Sequence, residues 1–428
     1  MVNRTISLRS LVNAGPFAPA TGKIVQKVAA ILLPAFLIIS AYHFLGGEVA
    51  VPSHVRRAGS SEVFVPLPSA SPMQPRCGPP LHTEGAQIKN AEGETVVLTG
   101  VAWSGFETQS FAPQGLNVRN YQDMLDQMAH LGFNTLRLPY SNQLFNPASK
   151  PTGINYTLNP DLRGLQGLAL MDKIVDGAQK AGLCVILDRH RPDAHAQSPL
   201  WYTPQVSQSQ WVADWVMLAS HYKNTPAVIG ADLDNEPHDP ATWGDGNPAT
   251  DWRLAAEIAG NAVLAVDPHL LIIVEGIQSY NGATYFWGGN LEGAKKYPVE
   301  LSVPHQLVYS AHDYGPEVYD QNWFQAPNFP NNLAGVWETH WAYLETENIA
   351  PVYLGEFGGS MDPGPEATWQ TTLVNYLSDY HMSYTYWCWN PDSSDTGGIL
   401  ESDWTTVDEA KMNILRAYQW PLLAQPAS

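Results

Sequence analysis

The stretch Val228-Ile229-Gly230-Ala231-Asp232-Leu233-Asp234-Asn235-Glu236-Pro237-His238 opens as a buried strand and closes on acids. A second stretch, Pro351-Val352-Tyr353-Leu354-Gly355-Glu356-Phe357-Gly358, repeats the design: an apolar run finished by a glutamate. A carboxylate at the end of a buried strand is costly to desolvate, so its presence points to a task beyond packing. Two such strands suit one closed barrel whose parallel strands deliver their ends to a common rim. Two glutamates at one rim suit paired-carboxylate chemistry on a sugar bond.

Working outward, apolar runs of strand length recur at 99–103, 135–139, 184–188, 228–235, 270–275, 307–312, 352–356 and 383–389. Between them lie segments with helical periodicity, at 121–131, 166–181, 210–222, 252–266 and 369–378. Eight strands alternating with helices predict an α/β fold of the TIM (β/α)8 barrel type. The competing architecture is a doubly wound open sheet, but no Gly-rich phosphate loop follows the first strand. Ahead of the barrel, two short alternating runs, 82–89 and 94–98, flank Asn90-Ala91-Glu92-Gly93 and predict an N-terminal β-hairpin.

Further towards the amino terminus, Arg4, Arg9, Lys23 and Lys27 precede an apolar stretch at 28–45 that contains Pro34 and His43. This pattern is an export signal, and it divides the chain into 1–47 as signal peptide or signal anchor, 48–80 as a Pro/Ser-rich linker, 81–420 as the catalytic barrel and 421–428 as a tail. Cleaved secretion is expected, with a membrane anchor through 28–45 as the alternative; both leave the barrel outside the cytoplasm. Three cysteines cannot build a disulfide framework, and Cys184, inside an apolar run, is expected to be a buried small hydrophobe.

The 428 residues carry 44% hydrophobic side chains, 15 Trp and a net charge of −19. The charge argues against nucleic acid or an anionic membrane surface as partner, and the aromatic surplus suits stacking on sugar faces. Polar residues collect at the predicted strand ends: Arg137, Asp188 with His190, Asn235 with Glu236, Glu275, His312 with Tyr314, Glu356 and Trp387. Strand alternation places Asp232 and Asp234 on the face of Glu236. No H-E-x-x-H or comparable spacing is present, so no metal and no cofactor are expected.

Asn235-Glu236-Pro237, His312-Asp313-Tyr314 and Gly355-Glu356-Phe357-Gly358 together resemble the signature of glycoside hydrolase family 5. The segments from Leu187 to Asp193, Asp234 to Pro240 and Trp389 to Gly398 further resemble its bacterial endo-β-1,4-glucanases, and the likeness runs over roughly 82–420. The resemblance implies a retaining double displacement on internal bonds of cellulose or β-glucan, with Glu236 as acid/base and Glu356 as nucleophile. Arg137 and Tyr314 would keep Glu356 charged, Asn235 would bind the sugar 2-hydroxyl, and His190 and His312 would contact substrate or orient the carboxylates. Trp387 would floor the subsite beside the cleaved bond, with Trp103 and Trp287 as further cleft walls. A monomer acting on a β-glucan polysaccharide is expected. The alternatives are a β-mannanase or xyloglucanase with the same machinery, and an inactive carbohydrate-binding surface protein.

Overall fold

The computed structural model describes residues 77–419, so the segment 1–47, all of the linker but 77–80, and the tail 421–428 lie outside the described residues. In chain order the strands are β1 (His82–Glu84), β2 (Gln87–Lys89), β3 (Thr95–Val96), β4 (Thr99–Ala102), β5 (Thr135–Ser141), β6 (Cys184–Arg191), β7 (Val228–Asp232), β8 (Leu271–Glu275), β9 (Ser279–Tyr280), β10 (Ala283–Thr284), β11 (Leu307–His312), β12 (Val352–Glu356) and β13 (Ser383–Tyr386). The helices are α1 (Tyr121–His130), α2 (Leu168–Ala181), α3 (Gln208–Tyr222), α4 (Trp252–Leu264), α5 (Leu333–Trp337), α6 (Tyr343–Thr346), α7 (Pro365–Tyr380) and α8 (Glu409–Arg416).

Strands β4 to β8 and β11 to β13 pair in parallel, each with its sequence neighbour, and β13 returns to β4 to close the barrel. A closed sheet has no free edge, so every strand satisfies its backbone groups on both sides. All residues of β4, β5, β7, β8, β12 and β13 are buried, as strands packed between a core and a helical layer must be. The outer helices follow local rules. In α2 the buried residues Leu170, Met171, Ile174, Val175, Ala178 and Ala181 recur at helical spacing, and Gly182 ends the helix in the left-handed conformation. Asn120 caps α1 by accepting from the backbone N–H groups of Gln122 and Asp123.

The two ends of the barrel differ. At the amino-terminal end, Ile186, Ile229, Leu271, Ile273, Val308 and Tyr353 from the strands pack with Ile88 and Val96 of the N-terminal sheet and with Leu81 and Leu98 beside it. That sheet plugs the bottom with apolar side chains, each worth about 1.5–3 kcal/mol when fully buried. The carboxyl ends are left for polar groups.

Several expectations are corrected here. The run 82–89 is not one strand: it turns at Gly85 (φ +57), and the product is a three-stranded sheet in the order β1-β2-β3. A side chain on Gly85 would collide with the Asn348 amide, whose Oδ1 accepts from the Ala86 N–H at 2.9 Å. Strand β7 stops at Asp232 rather than 235, and β13 at Tyr386 rather than 389. The helical stretch from α5 to α6, joined by a π-helical turn at Glu338–Ala342, and α8 were not foreseen; the first is interrupted and the second is only 8 residues long. Cys184 is half of a disulfide with Cys77 across 107 residues, with Cα atoms 6.3 Å apart, rather than a free thiol. The bridge ties the chain's entry into the plug to the first residue of β6, and Cys388 is free and buried.

A loop of 107 residues closed by a crosslink removes much unfolded-state entropy. Cys77→Ser is therefore expected to lower stability by about 2–5 kcal/mol, read as an earlier denaturant midpoint. Reduction of the wild-type protein should reproduce the shift, and the variant should no longer respond to reductant.

Candidate active site

Arg137 on β5 stands at the centre of the carboxyl end of the barrel and is wholly buried. Its Nη1 lies 2.5 Å from Glu356 Oε1 and 3.2 Å from Asp188 Oδ2. Its Nη2 lies 2.9 Å from Asp232 Oδ2 and 3.2 Å from Glu275 Oε1, and donates to Asn235 Oδ1 at 2.9 Å. These partners come from β6, β7, β8, β12 and the residues just after β7, so one guanidinium is shared among neighbouring strand ends. Burial alone would weaken its hold on a proton, but the charges of Asp188, Asp232, Glu356 and Glu275 more than offset this and keep it a cation.

Arg137 alone does not balance the four acids around it, and burial raises the proton affinity of three of them. Burial pushes Asp188 and Asp232 up to about 6 despite the opposing charge of Arg137. Burial likewise lifts Glu275 well above the usual carboxylate range, against the opposing charge of His312.

Glu236 and Glu356 meet across this cluster. Glu356, 4% exposed at its side chain, accepts from Arg137 and, on Oε2, from the Tyr314 hydroxyl at 2.6 Å. Glu236 keeps 15% side-chain exposure, towards the cleft. Its Oε1 is 3.0 Å from His312 Nδ1, which is also 3.6 Å from Glu356 Oε2, and carboxylate oxygens of the two glutamates approach within 4.8 Å. Burial pushes Glu236 up, but the hydrogen bond and charge of His312, an amide donated by Gln197 at 2.7 Å and the charge of His190 outweigh it, leaving Glu236 below its ordinary value. In His312 burial opposes protonation, yet the charges of Glu275 and Glu356 hold the proton affinity well above the usual imidazole range.

The backbone at Glu236 is left-handed (φ +55), a conformation that costs an ordinary residue on the order of 1–2 kcal/mol. It is held by Glu275 Oε2, which accepts the Glu236 N–H at 2.7 Å. Gly288 makes the arrangement fit: a Cβ there would collide with Glu275 Oε2 and come within 3.1 Å of Glu236 Cα. Because the strand ends at Asp232, alternation does not carry through, and Asp234 is not on the face of Glu236. It pairs instead with Arg189, which also donates to Asn142 in a separate buried network.

The cleft above these groups encloses about 480 Å³ and is lined by His190, Gln197, Glu236, Tyr314, Glu356 and Trp387 on its floor, with Trp287 and Tyr319 further out. Trp387 stacks on His190 with ring centroids 5.1 Å apart and planes within 5°, and the peptide bond from Trp387 to Cys388 is cis. His190 Nδ1 is 2.7 Å from Asp188 Oδ2, and burial lowers the imidazole to about 4. Trp287, 43% exposed, stacks on His238 at 3.9 Å. Trp103 is a correction: it is fully buried, its indole N–H donates to the Gln114 carbonyl, and it does not line the cleft. Its strand ends at Ala102, one residue too early to aim the ring at the rim.

The structure thus brings together Glu236, Glu356, Arg137, Asn235, His190, His312, Tyr314 and Trp387, and adds Gln197 and the supporting role of Glu275. Gln197 lies on a loop without periodicity and left no sequence signal; Glu275 was visible only as a strand-end acid. Atoms of Asp188, His190 and Glu356, and of Glu236, His312 and Glu356, lie close enough to share a cation. Asp188 and Glu356 are already paired with the Arg137 guanidinium, and Glu236 with His312.

Residues 90–393 match the family model for cellulase (glycosyl hydrolase family 5). The chain is 50% identical over 348 residues to an endoglucanase of Paenibacillus polymyxa, an overlap of 80% of this chain and 88% of that protein. It is 45% identical over 338 residues to the major extracellular endoglucanase of Xanthomonas campestris pv. campestris, covering 77% of this chain and 69% of that one. A solved endocellulase from Pyrococcus horikoshii, in complex with cellotetraose, superposes with a TM-score of 0.75 at 44% identity, over 79% of this chain and 98% of that one.

The protonated acids set a pH dependence of stability. Asp188 and Asp232 hold protons to about 6, and Asp313, buried but hydrogen-bonded by Tyr285 and Trp369, to about 7. The unfolded chain releases these protons near pH 4, so folding takes up protons between about pH 4 and 7 and stability falls as pH rises through that window. His190 acts in the opposite sense, but His312 sides with the acids. The thermal midpoint is expected to be lower at pH 8 than at pH 5; a midpoint that rises over this interval would show that the acids are ionised in the folded protein.

Proposed function

The chain belongs to the cellulase family, glycosyl hydrolase family 5, and we propose that it is a retaining endo-β-1,4-glucanase with Glu236 as acid/base and Glu356 as nucleophile. The observation that carries this is the approach of the Glu236 and Glu356 oxygens to within 4.8 Å in a sugar-sized cleft. Inverting enzymes leave about 6.5–9.5 Å between carboxyl groups for a water, whereas retaining enzymes keep about 5–5.5 Å. The short gap favours direct attack.

Each partner has a matching part. Glu356 is cradled from below by Arg137 and Tyr314, which fix its oxygens and balance its charge for attack on the anomeric carbon. Glu236 donates a proton to the leaving oxygen and then takes one from the water that cleaves the glycosyl-enzyme. Asn235 is positioned by Arg137 through its Oδ1, which leaves Nδ2 buried and without a hydrogen-bond partner among the described residues. A buried donor without a partner costs about 1–3 kcal/mol, so this Nδ2 suits a sugar 2-hydroxyl whose hydrogen bond strengthens in the transition state. Trp387, oriented by His190, offers a flat face to a glucosyl ring beside the cleaved bond.

The natural substrate on this reading is a β-1,4-linked glucan, in keeping with the endoglucanase relatives and the cellotetraose held by the structural neighbour. Export from the cytoplasm is supported by the Cys77–Cys184 disulfide, by the basic and apolar character of residues 1–47, and by the extracellular character of the Xanthomonas relative.

The test is viscosity loss and reducing-sugar release on carboxymethyl cellulose, with galactomannan and xyloglucan in parallel. Viscosity is expected to fall faster than sugar ends accumulate, and Glu236→Gln or Glu356→Gln to cut turnover by about 10²–10⁴-fold or more. Fresh product should carry the β-anomer by NMR. An α-anomer would end the retaining reading, and turnover confined to mannan or xyloglucan would move the substrate while keeping the chemistry.

A further inference from the structure

Gln197 lies on the segment between β6 and α3, is half-buried, and lines the cleft. Its Nε2 donates to Glu236 Oε2 at 2.7 Å. The other oxygen, Oε1, accepts from His312, which is fully buried at the end of β11. The two oxygens of Glu236 are therefore unlike. One is tied to a buried imidazole in the core, the other to a half-buried amide on a loop that borders the substrate space. A proton passed to an oxygen in the cleft must leave from the accessible side, and that is the oxygen the amide occupies. An N–H donated to a carboxylate also favours its charged form, so the contact works against the proton an acid catalyst needs.

We infer that Gln197 is a positioning residue that caps Glu236 Oε2 in the empty cleft and yields that oxygen to the bridging oxygen of a bound glucan chain. The inference rests on the reading of Glu236 as acid/base. Once the amide leaves, Glu236 takes up a proton from solvent and delivers it to the leaving oxygen as the glycosidic C–O bond breaks and the bond from Glu356 to the anomeric carbon forms. After the leaving sugar departs, the glycosyl group still in the cleft keeps the amide away, so Oε2 is free to act as base. In the second step the water oxygen bonds to the anomeric carbon, its proton goes to Glu236, and Glu356 is released with its electron pair. That proton returns to solvent when the product leaves and the cap closes.

Other groups face Glu236 from every neighbouring element: Glu275 from β8, His312 and Tyr314 at the end of β11, Glu356 from β12, and Asp188 and His190 from β6. His238 contacts the Glu236 carbonyl rather than its carboxyl. None of these is changed by a substitution at 197, so the effect of the amide is separable from theirs.

The experiment is a pair of pH profiles on a soluble aryl β-cellobioside, for the full chain and its Gln197→Met and Gln197→Glu variants. The alkaline limb of kcat/KM follows Glu236 in the free enzyme, and that of kcat follows it in the complex. In the wild type the kcat/KM limb is expected at lower pH than the kcat limb. Gln197→Met should raise the kcat/KM limb by about one pH unit and leave the kcat limb in place, because the cap is already gone in the complex. Gln197→Glu, near-isosteric but bearing an acceptor and like charge, should raise it further. Variants that lose rate uniformly with both limbs unmoved would overturn the inference while leaving the acid/base reading intact. A wild-type protein without β-glucanase activity would overturn both.

Discussion

A single buried guanidinium governs the carboxyl end of this barrel. Arg137 touches Asp188, Asp232, Glu275 and Glu356, each supplied by a different strand, and all the contacts fall between 2.5 and 3.2 Å. Such a cluster survives burial only if every charge is paired or neutralised, because an unpaired buried ion costs several kcal/mol. Burial raises the proton affinity of Asp188, Asp232 and Glu275, and the His312 imidazole, held well above its usual range, adds positive charge. The barrel is what makes the arrangement geometrically available: parallel strands in cyclic order bring β5, β6, β7, β8 and β12 to one rim, within reach of one side chain.

The demands of the two ends of the barrel are met separately. The bottom is closed by the apolar faces of β1 to β3 and tied by the Cys77–Cys184 bridge, so its cohesion owes little to the polar cluster. The top can then carry local conformations that packing would not choose. Glu236 in a left-handed conformation is one, and it persists because Glu275 accepts its N–H and Gly288 leaves room for both. Strain at a reacting residue is tolerated where the surrounding contacts over-determine it.

Much of this was legible in the sequence because it depends on short-range pattern. Each barrel strand is a continuous apolar run, and a polar residue at its carboxyl end is visible without knowing its partners. Where the pattern reading went astray, a tertiary contact decided. Cys184 read as a core residue because its partner, Cys77, sits in a segment of linker composition with no hint of its approach. Gly85 read as part of a strand because the Asn348 side chain that fixes its turn lies far along the chain. Alternation was extended from Asp232 to Glu236, although the strand had ended and the left-handed residue turned the chain. Trp103 carried the aromatic character of a cleft wall, but its strand stops one residue short of it. Gln197 had no pattern at all: its significance is one hydrogen bond made from an irregular loop.

On the proposed assignment of acid/base and nucleophile, Glu236 and Glu356 differ in how they are held, and the difference matches the proposed tasks. Glu356 is gripped by Arg137 and Tyr314, both buried, so its position does not depend on the contents of the cleft. A nucleophile must form and break a bond to the same carbon twice, which favours a fixed geometry. Glu236 is held on one side by buried His312 and on the other by half-buried Gln197, and it keeps the larger share of solvent exposure. An acid/base residue must change protonation between the two steps, which favours an environment that can change with it. Rigid support for one glutamate and adjustable support for the other follow from where their donors come from. Those of Glu356 lie on β5 and just beyond β11; the adjustable donor to Glu236 lies on a loop at the substrate's edge.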